Sequence, residues 1–330
     1  QRVATFEGRL SAADLVVCSH PSLLCVLLAE VSEVPVFAHA SSTLLYGLPC
    51  PGRSGTTLRL CDGPAVQAYL SGCRSLFARA SDEVPRLALI AEGRFLAEQI
   101  RHQVGVEVAW APPLALYVNE TYRGGGHRSA VVLRSRFFMS LMGELLRSLL
   151  REIIAINEEP VDIRFLGADN QFDEQWLTLE QMAGYGAAIL YPNDVHQRTF
   201  HEAYRMGIPI FMPDALGMFR MQRASNWGYS SYGTALPQSG EGGSESTDIS
   251  ISHEPWWNSF HAGPDVVVDL QQLADWEQFP HIQRFSSLPE LVVSLLDADL
   301  MDLSTKMRSF HAGLVDRVLR TACNEIAVLL

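Results

Sequence analysis

The stretch "GAAILYPNDVHQRTFHEAYRMGIPIFMPD", residues 186–214, decides the fold. Its opening "GAAILY" is a short uninterrupted apolar run, the pattern of a strand buried on both faces. Pro192 and Asn193 end that run. A helical period takes over from about Thr199 to Met206, Gly207 stops it, and a second apolar run, "IPIFM", leads to Pro213. The result is a strand, helix, strand unit. Between its two strands stand Asp194, His196, Arg198, His201 and Glu202, near the carboxyl end of the first strand, where open parallel sheets bind their ligands.

The same alternation extends outward. Toward the amino terminus, "DLVVCS" (14–19), "VPVFAH" (34–39), "RLALIA" (86–91) and "VEVAW" (106–110) read as strands, with helices expected near 22–31, 65–79 and 94–103. The alternation halts at "APPLALYVNETYRGGGHR" (111–128), where a proline pair and three glycines mark a linker. It resumes with "AVVLR" (130–134), a helix over about 137–156, the strand "VDIRFLG" (161–167) and a helix near 174–184. The expected fold is α/β, with two Rossmann-like, doubly wound parallel-sheet domains facing across a cleft and helices at the C-terminus. The first domain is expected over 1–115, the linker over 116–128 and the second domain over 129–330. The Gly/Ser/Glu-rich tract at 236–250 buries too little apolar surface to order itself and is expected as a mobile insertion.

Composition excludes several classes. At 330 residues, 48% hydrophobic and 19% charged, the chain is an ordinary globular protein large enough for two domains. It contains no run of about 18 uncharged apolar residues, so no transmembrane segment is expected. A net charge of −12 argues against nucleic acid as a partner, because phosphate backbones demand a basic surface. The six cysteines show neither a CxxC pair nor a Cys/His metal spacing and are expected mostly as buried thiols. There is no GxGxxG, P-loop or GxSxG, which withdraws support from NAD enzymes, P-loop kinases and nucleophile-elbow hydrolases. Asp297-Ala298-Asp299 has the DxD spacing of a manganese motif but interrupts a helical region, so it reads as a helix start and no metal is assigned. Cytoplasm and secretory-pathway lumen are both compatible with this composition.

In the opening stretch, Asp194 is followed after seven residues by Glu202, and "EAYRMGIPIFM" carries a glutamate-headed helix closing on a GxP before the next strand. This segment resembles the C-terminal domain of the GT-B glycosyltransferases. "CSHPSLLCVLL", "IAEGRFLAEQI" and "FPHIQRFSSLPELV" add similarity to a group of GT-B-like proteins from marine protists and algae. The resemblance implies a metal-independent glycosyltransferase. Its substrate would be a nucleotide sugar held by the second domain, with no further cofactor, and its acceptor a glycan, protein or lipid held by the first. Domain 1–115 is short for half of such an enzyme, so its start is expected to be lost or trimmed. Two other readings share the architecture: a non-catalytic binding or scaffold protein, and a nucleotide-sugar epimerase.

The resemblance assigns Glu202 to the ribose hydroxyls of the donor. Its expected place is the first turn of a helix, where unpaired amides and the dipole favour anions. Two roles fit Asp194: neutralising positive charge at the anomeric carbon, or simply shaping the turn after Pro192-Asn193. Arg134 and Arg136 follow a strand and could clamp a leaving diphosphate with their guanidinium forks. The family's usual lysine does not follow them, and Asp stands where it usually has the first Glu. His20 and His39 each follow an apolar strand of the first domain, where a base for the acceptor hydroxyl would stand, and His196 lies in the donor loop. A hydrogen-bonded structural histidine is the alternative for each.

Overall fold

The computed structural model describes residues 13–19, 22–41, 44, 63–78, 86–124, 129–133, 141–156, 161–165, 177–192, 197–218, 220 and 271–330. These fall into two compact units, one of residues 13–112 and 317–330, the other of residues 113–220 and 271–316. Each carries its own parallel sheet, so the protein is α/β with two sheets compatible with Rossmann-like domains.

In the first unit, β1 (Val16–Cys18), β2 (Val36–Ala40), β3 (Leu87–Ala91) and β4 (Ala109–Trp110) lie in the order β1-β2-β3-β4, all parallel. The inner strands β2 and β3 are almost unbroken apolar runs because both of their faces are covered. One face, with Val36, Ala38, Ala40, Leu89 and Ala91, packs against Cys25 and Ala29 of α1 (Ser22–Val31), Leu70 of α2 (Gly63–Ala78) and Leu96 and Ile100 of α3 (Arg94–Val104). The other face, with Phe37, Ala88 and Ile90, packs against Val318, Ala322, Ile326 and Leu329 near the end of the C-terminal helix.

The cysteines depart from expectation. Cys18, the last residue of β1, and Cys25, in α1, form a disulfide across the connecting loop, with their Cα atoms 5.5 Å apart. A strand end and the start of the helix that folds back over it bring the two within bonding reach. Cys73 is a buried thiol as expected, whereas Cys323 is exposed. Cys50 and Cys61 lie outside the described residues.

In the second unit, β5 (Ser129–Leu133), β6 (Asp162–Phe165), β7 (Ala187–Leu190), β8 (Ile210–Pro213) and β9 (Gln283–Phe285) are all parallel, in the order β6-β5-β7-β8-β9. Counted within this sheet the order is 2-1-3-4-5, so the winding direction reverses between β5 and β7. Among the described residues, that reversal occurs in this sheet and not in the first. The helices are α4 (Leu141–Ile156), α5 (Leu179–Met182), α6 (Arg198–Met206), α7 (Leu288–Asp297) and the part of α8 (Leu300–Leu329) up to residue 316, with a 3-10 turn at Asp275–Glu277.

Residues 113–124 are packed onto the second unit. Tyr122 donates its N–H to Met206 O and its hydroxyl to Gly186 O, Arg123 donates its N–H to Ala183 O, and Leu114 O accepts from His311 Nε2. The DxD triplet is a helix junction, as expected: Asp297 ends α7, and Asp299 Oδ1 accepts the Asp302 N–H, capping α8. Among the described residues no helix is long and apolar enough to cross a membrane.

Candidate functional site

The order of the second sheet defines a place for a ligand. Where winding reverses, the helices leaving neighbouring strands depart to opposite faces, and a crevice opens at the carboxyl ends of those strands. Here those ends are Leu133 of β5 and Leu190 of β7. The helix after β7 is α6, and its geometry follows closely from its sequence. Gln197 is the extended N-cap residue. At the other end Gly207 takes φ 77° and donates its N–H to Tyr204 O, while Ile208 N–H reaches Ala203 O. This is a Schellman closure, which requires the left-handed residue that glycine supplies.

Helix α6 has two chemically distinct sides. Phe200, His201, Ala203, Tyr204 and Met206 are buried; Arg198 is exposed, and Glu202 and Arg205 are half-buried. Glu202 differs from the sequence expectation in one respect. The helix begins at Arg198, so Glu202 is its fifth residue and the first turn holds no acidic group. At 1.5 Å per residue it stands about 6 Å along the axis from the first helical residue, past the unpaired amides. An anion there is held by side chains rather than by the helix end.

The side chain that meets Glu202 comes from residues 113–124. Tyr117 donates its phenol hydroxyl to Glu202 Oε1, across a separation of 85 residues. Partial desolvation of the phenol, then its bond to the Glu202 carboxylate and the charge of that carboxylate, push its pKa up to about 12, and the Arg198 charge partly opposes this. Arg198 and Glu202 are four residues apart and so share a side of the helix. Tyr117 sits at the tip of a tight turn closed by the Val118 N–H on Ala115 O.

The opposite side of α6 is anchored by a buried polar pair. His201 Nε2 lies 2.7 Å from Asp275 Oδ2, and each side chain is 1% exposed. Phe279 stacks edge-on against Phe200, His201 and Tyr204, with ring centroids 5.2, 5.3 and 4.7 Å apart, and the Tyr204 hydroxyl donates to Pro280 O. One turn further, Arg205 lies beside His311, whose pKa is lowered by burial and then by that guanidinium. The buried side thus fixes the rotation of α6, and with it the outward aim of Glu202.

Of the other residues singled out from sequence, His39 lies within β2, on the face that carries Phe37, and burial lowers its pKa. His20, Arg134, Arg136, Asp194 and His196 lie outside the described residues. Along the chain, Arg134 directly follows Leu133, while Asp194 and His196 fall between Pro192 and Gln197, so the two segments leave the strands that flank the winding reversal. Tyr117 and Asp275 escaped the sequence reading. Tyr117 sits in the proline- and glycine-rich stretch whose composition predicts a linker, and Asp275 pairs with His201 across 74 residues. Among the described residues no group of three or more His, Cys, Asp or Glu is arranged to hold a metal ion.

No protein-family model matches the chain, and no curated protein matches it.

Proposed function

We propose that this chain is a glycosyltransferase of GT-B type that binds a nucleotide sugar on its second unit, with Glu202 accepting the ribose hydroxyls. The observation that carries the reading is the Tyr117–Glu202 bond: a carboxylate on the open side of the helix after β7, oriented so that it already accepts a hydroxyl. Charge-assisted acceptance from hydroxyls is the chemistry by which a carboxylate holds a sugar. The strand order of the second sheet supports the same assignment, because doubly wound sheets bind ligands where the winding reverses, here between β5 and β7. In this reading Arg134 and Arg136 meet the diphosphate, Asp194 and His196 face the transferred sugar, and His20 and His39 serve the acceptor side.

A thermal-shift screen against nucleoside diphosphates tests it. A ligand at one hundred times its dissociation constant stabilises the fold by about 2.7 kcal/mol. Incubation of the matching nucleotide sugar with glycan, peptide and lipid acceptors then separates the alternatives: a transferred sugar supports the transferase, an isomerised free nucleotide sugar identifies an epimerase, and tight binding without turnover identifies a binding protein. Absence of any nucleotide-dependent stabilisation overturns the proposal.

A further inference from the structure

The strongest unassigned feature of the described residues is the residue that reaches Glu202. Tyr117 and its neighbour Leu116 are the central residues of the turn closed by Val118 N–H on Ala115 O, and they are 58% and 52% exposed. Two large apolar side chains at the tip of an open turn gain little from folding there. The residue before them, Ala115, is buried and takes φ 48°, a left-handed conformation that is uncommon for alanine. The turn is therefore held in an unfavourable backbone state while presenting apolar groups to water.

The phenol does not hold this turn in place. The segment is tied down on both sides by other bonds: Leu114 O to His311 Nε2 before it, and Tyr122 and Arg123 to Met206 O, Gly186 O and Ala183 O after it. What the phenol does is occupy Glu202. A carboxylate offers about four acceptor positions in fixed directions, and the phenol hydroxyl fills one on Oε1. A sugar hydroxyl approaching that oxygen presents the same O–H donor to the same lone pair.

We infer that Tyr117 is an internal stand-in for the ligand, so that occupation of the Glu202 carboxylate is an exchange of the phenol hydroxyl for a hydroxyl of the bound molecule. This deepens the proposed function and rests on it, since it takes Glu202 as the hydroxyl acceptor of the nucleotide ribose. The consequence is a built-in ceiling on affinity. A ligand that merely replaces the phenol trades one charge-assisted bond for another, whereas a ligand with two adjacent hydroxyls can fill the vacated position and one beside it. Tyr117 thereby favours molecules carrying a vicinal diol over those with a single hydroxyl, and its loss should tighten binding.

The test is a double-mutant cycle on the full chain, read by calorimetric titration with uridine and guanosine diphosphate. The proteins are wild type, Tyr117→Phe, Glu202→Gln and the double variant, each checked for an intact fold by its unfolding curve. Tyr117→Phe keeps the ring and deletes only the hydroxyl. In the wild-type background it should lower the dissociation constant roughly threefold to tenfold, the discounted worth of an exposed hydrogen bond to a charged group. In the Glu202→Gln background it should leave the constant unchanged within about twofold, because the charged acceptor is gone. A purely structural role for Tyr117 would move the unfolding curve without this dependence on Glu202. If the nucleotides bind wild type and Tyr117→Phe leaves affinity unchanged or weaker, the stand-in role is overturned and the nucleotide reading survives. If they bind neither wild type nor Tyr117→Phe, the nucleotide reading itself is overturned, and the stand-in role with it.

Discussion

His201 Nε2 lies 2.7 Å from Asp275 Oδ2 on the buried side of the helix whose open side carries Glu202. Adjacent residues thus divide the labour, one fixing the helix and the other facing outward. Each side chain of the pair is 1% exposed, so losing the bond removes a buried polar contact that water does not readily replace. His201→Ala and Asp275→Ala should each lower the free energy of unfolding by about 3–5 kcal/mol in urea titration. A loss under about 1 kcal/mol for both would mean that the pair is solvated and does not anchor α6.

Gly207 and Gly105 provide a controlled comparison. Both are left-handed closing residues, at φ 77° and 75°. A methyl group on Gly207 would meet Arg308 Cγ at 2.7 Å and Ser304 Oγ at 2.9 Å, whereas one on Gly105 meets nothing within 4 Å. Gly105→Ala should therefore cost about 1 kcal/mol for backbone strain alone, and Gly207→Ala distinctly more. Equal losses would place Arg308 and Ser304 farther from Gly207 than this packing has them.

The Cys18–Cys25 bond closes a short loop between β1 and α1, with a sequence separation of 7. Peptide mapping without reductant should recover the two cysteines as one linked species. Reduction should lower stability by about 2–3 kcal/mol, the chain-entropy value for so small a loop. Recovery of both as free thiols from freshly purified protein would show that the bond does not form.

Ionisation gives two pH windows of opposite sign. Tyr117 has its pKa raised from 10.0 to about 12, so the folded state holds that proton more tightly. The associated stability is present below pH 10.0 and lost as pH rises toward about 12. Because partial desolvation is the first cause and Glu202 the second, Glu202→Gln should lower the Tyr117 titration midpoint, followed by NMR of ring-labelled tyrosine, without returning it fully to 10.0. His39 and His311 are depressed below 6.5 by burial, so their stability is present above pH 6.5 and lost as pH falls below it. His39→Gln and His311→Gln should flatten the acid side of the stability profile; an unaltered profile in both would mean that these rings are solvated.

Much of this architecture is legible in the sequence because the inner strands are buried on both faces. "GAAILY" and "IPIFM" are continuous apolar runs, and they form β7 and β8. Gly207 ends α6 where the helical period breaks, for a local reason, its left-handed φ. Glu202 was legible as a candidate, but its position in the helix was not, because a polar stretch leaves the helix start undefined by periodicity. Tyr117 and Asp275 were hidden for a different reason. Their contacts, to Glu202 and His201, join residues 85 and 74 apart, and no local pattern encodes such a pairing. The edge strand β9, Gln283–Phe285, has too few residues and too little apolar character to announce itself.

The role proposed for the Glu202 carboxylate is to accept ribose hydroxyls. Calorimetric titration of wild type and Glu202→Gln with the best nucleoside diphosphate from the stability screen tests it most directly. The substitution lies on the open side of α6 and should leave the fold intact. It replaces a charged acceptor with a neutral amide, so the dissociation constant should rise roughly tenfold or more. An equal constant for the two proteins would contradict the claim and leave Glu202 as a partner of Tyr117 alone.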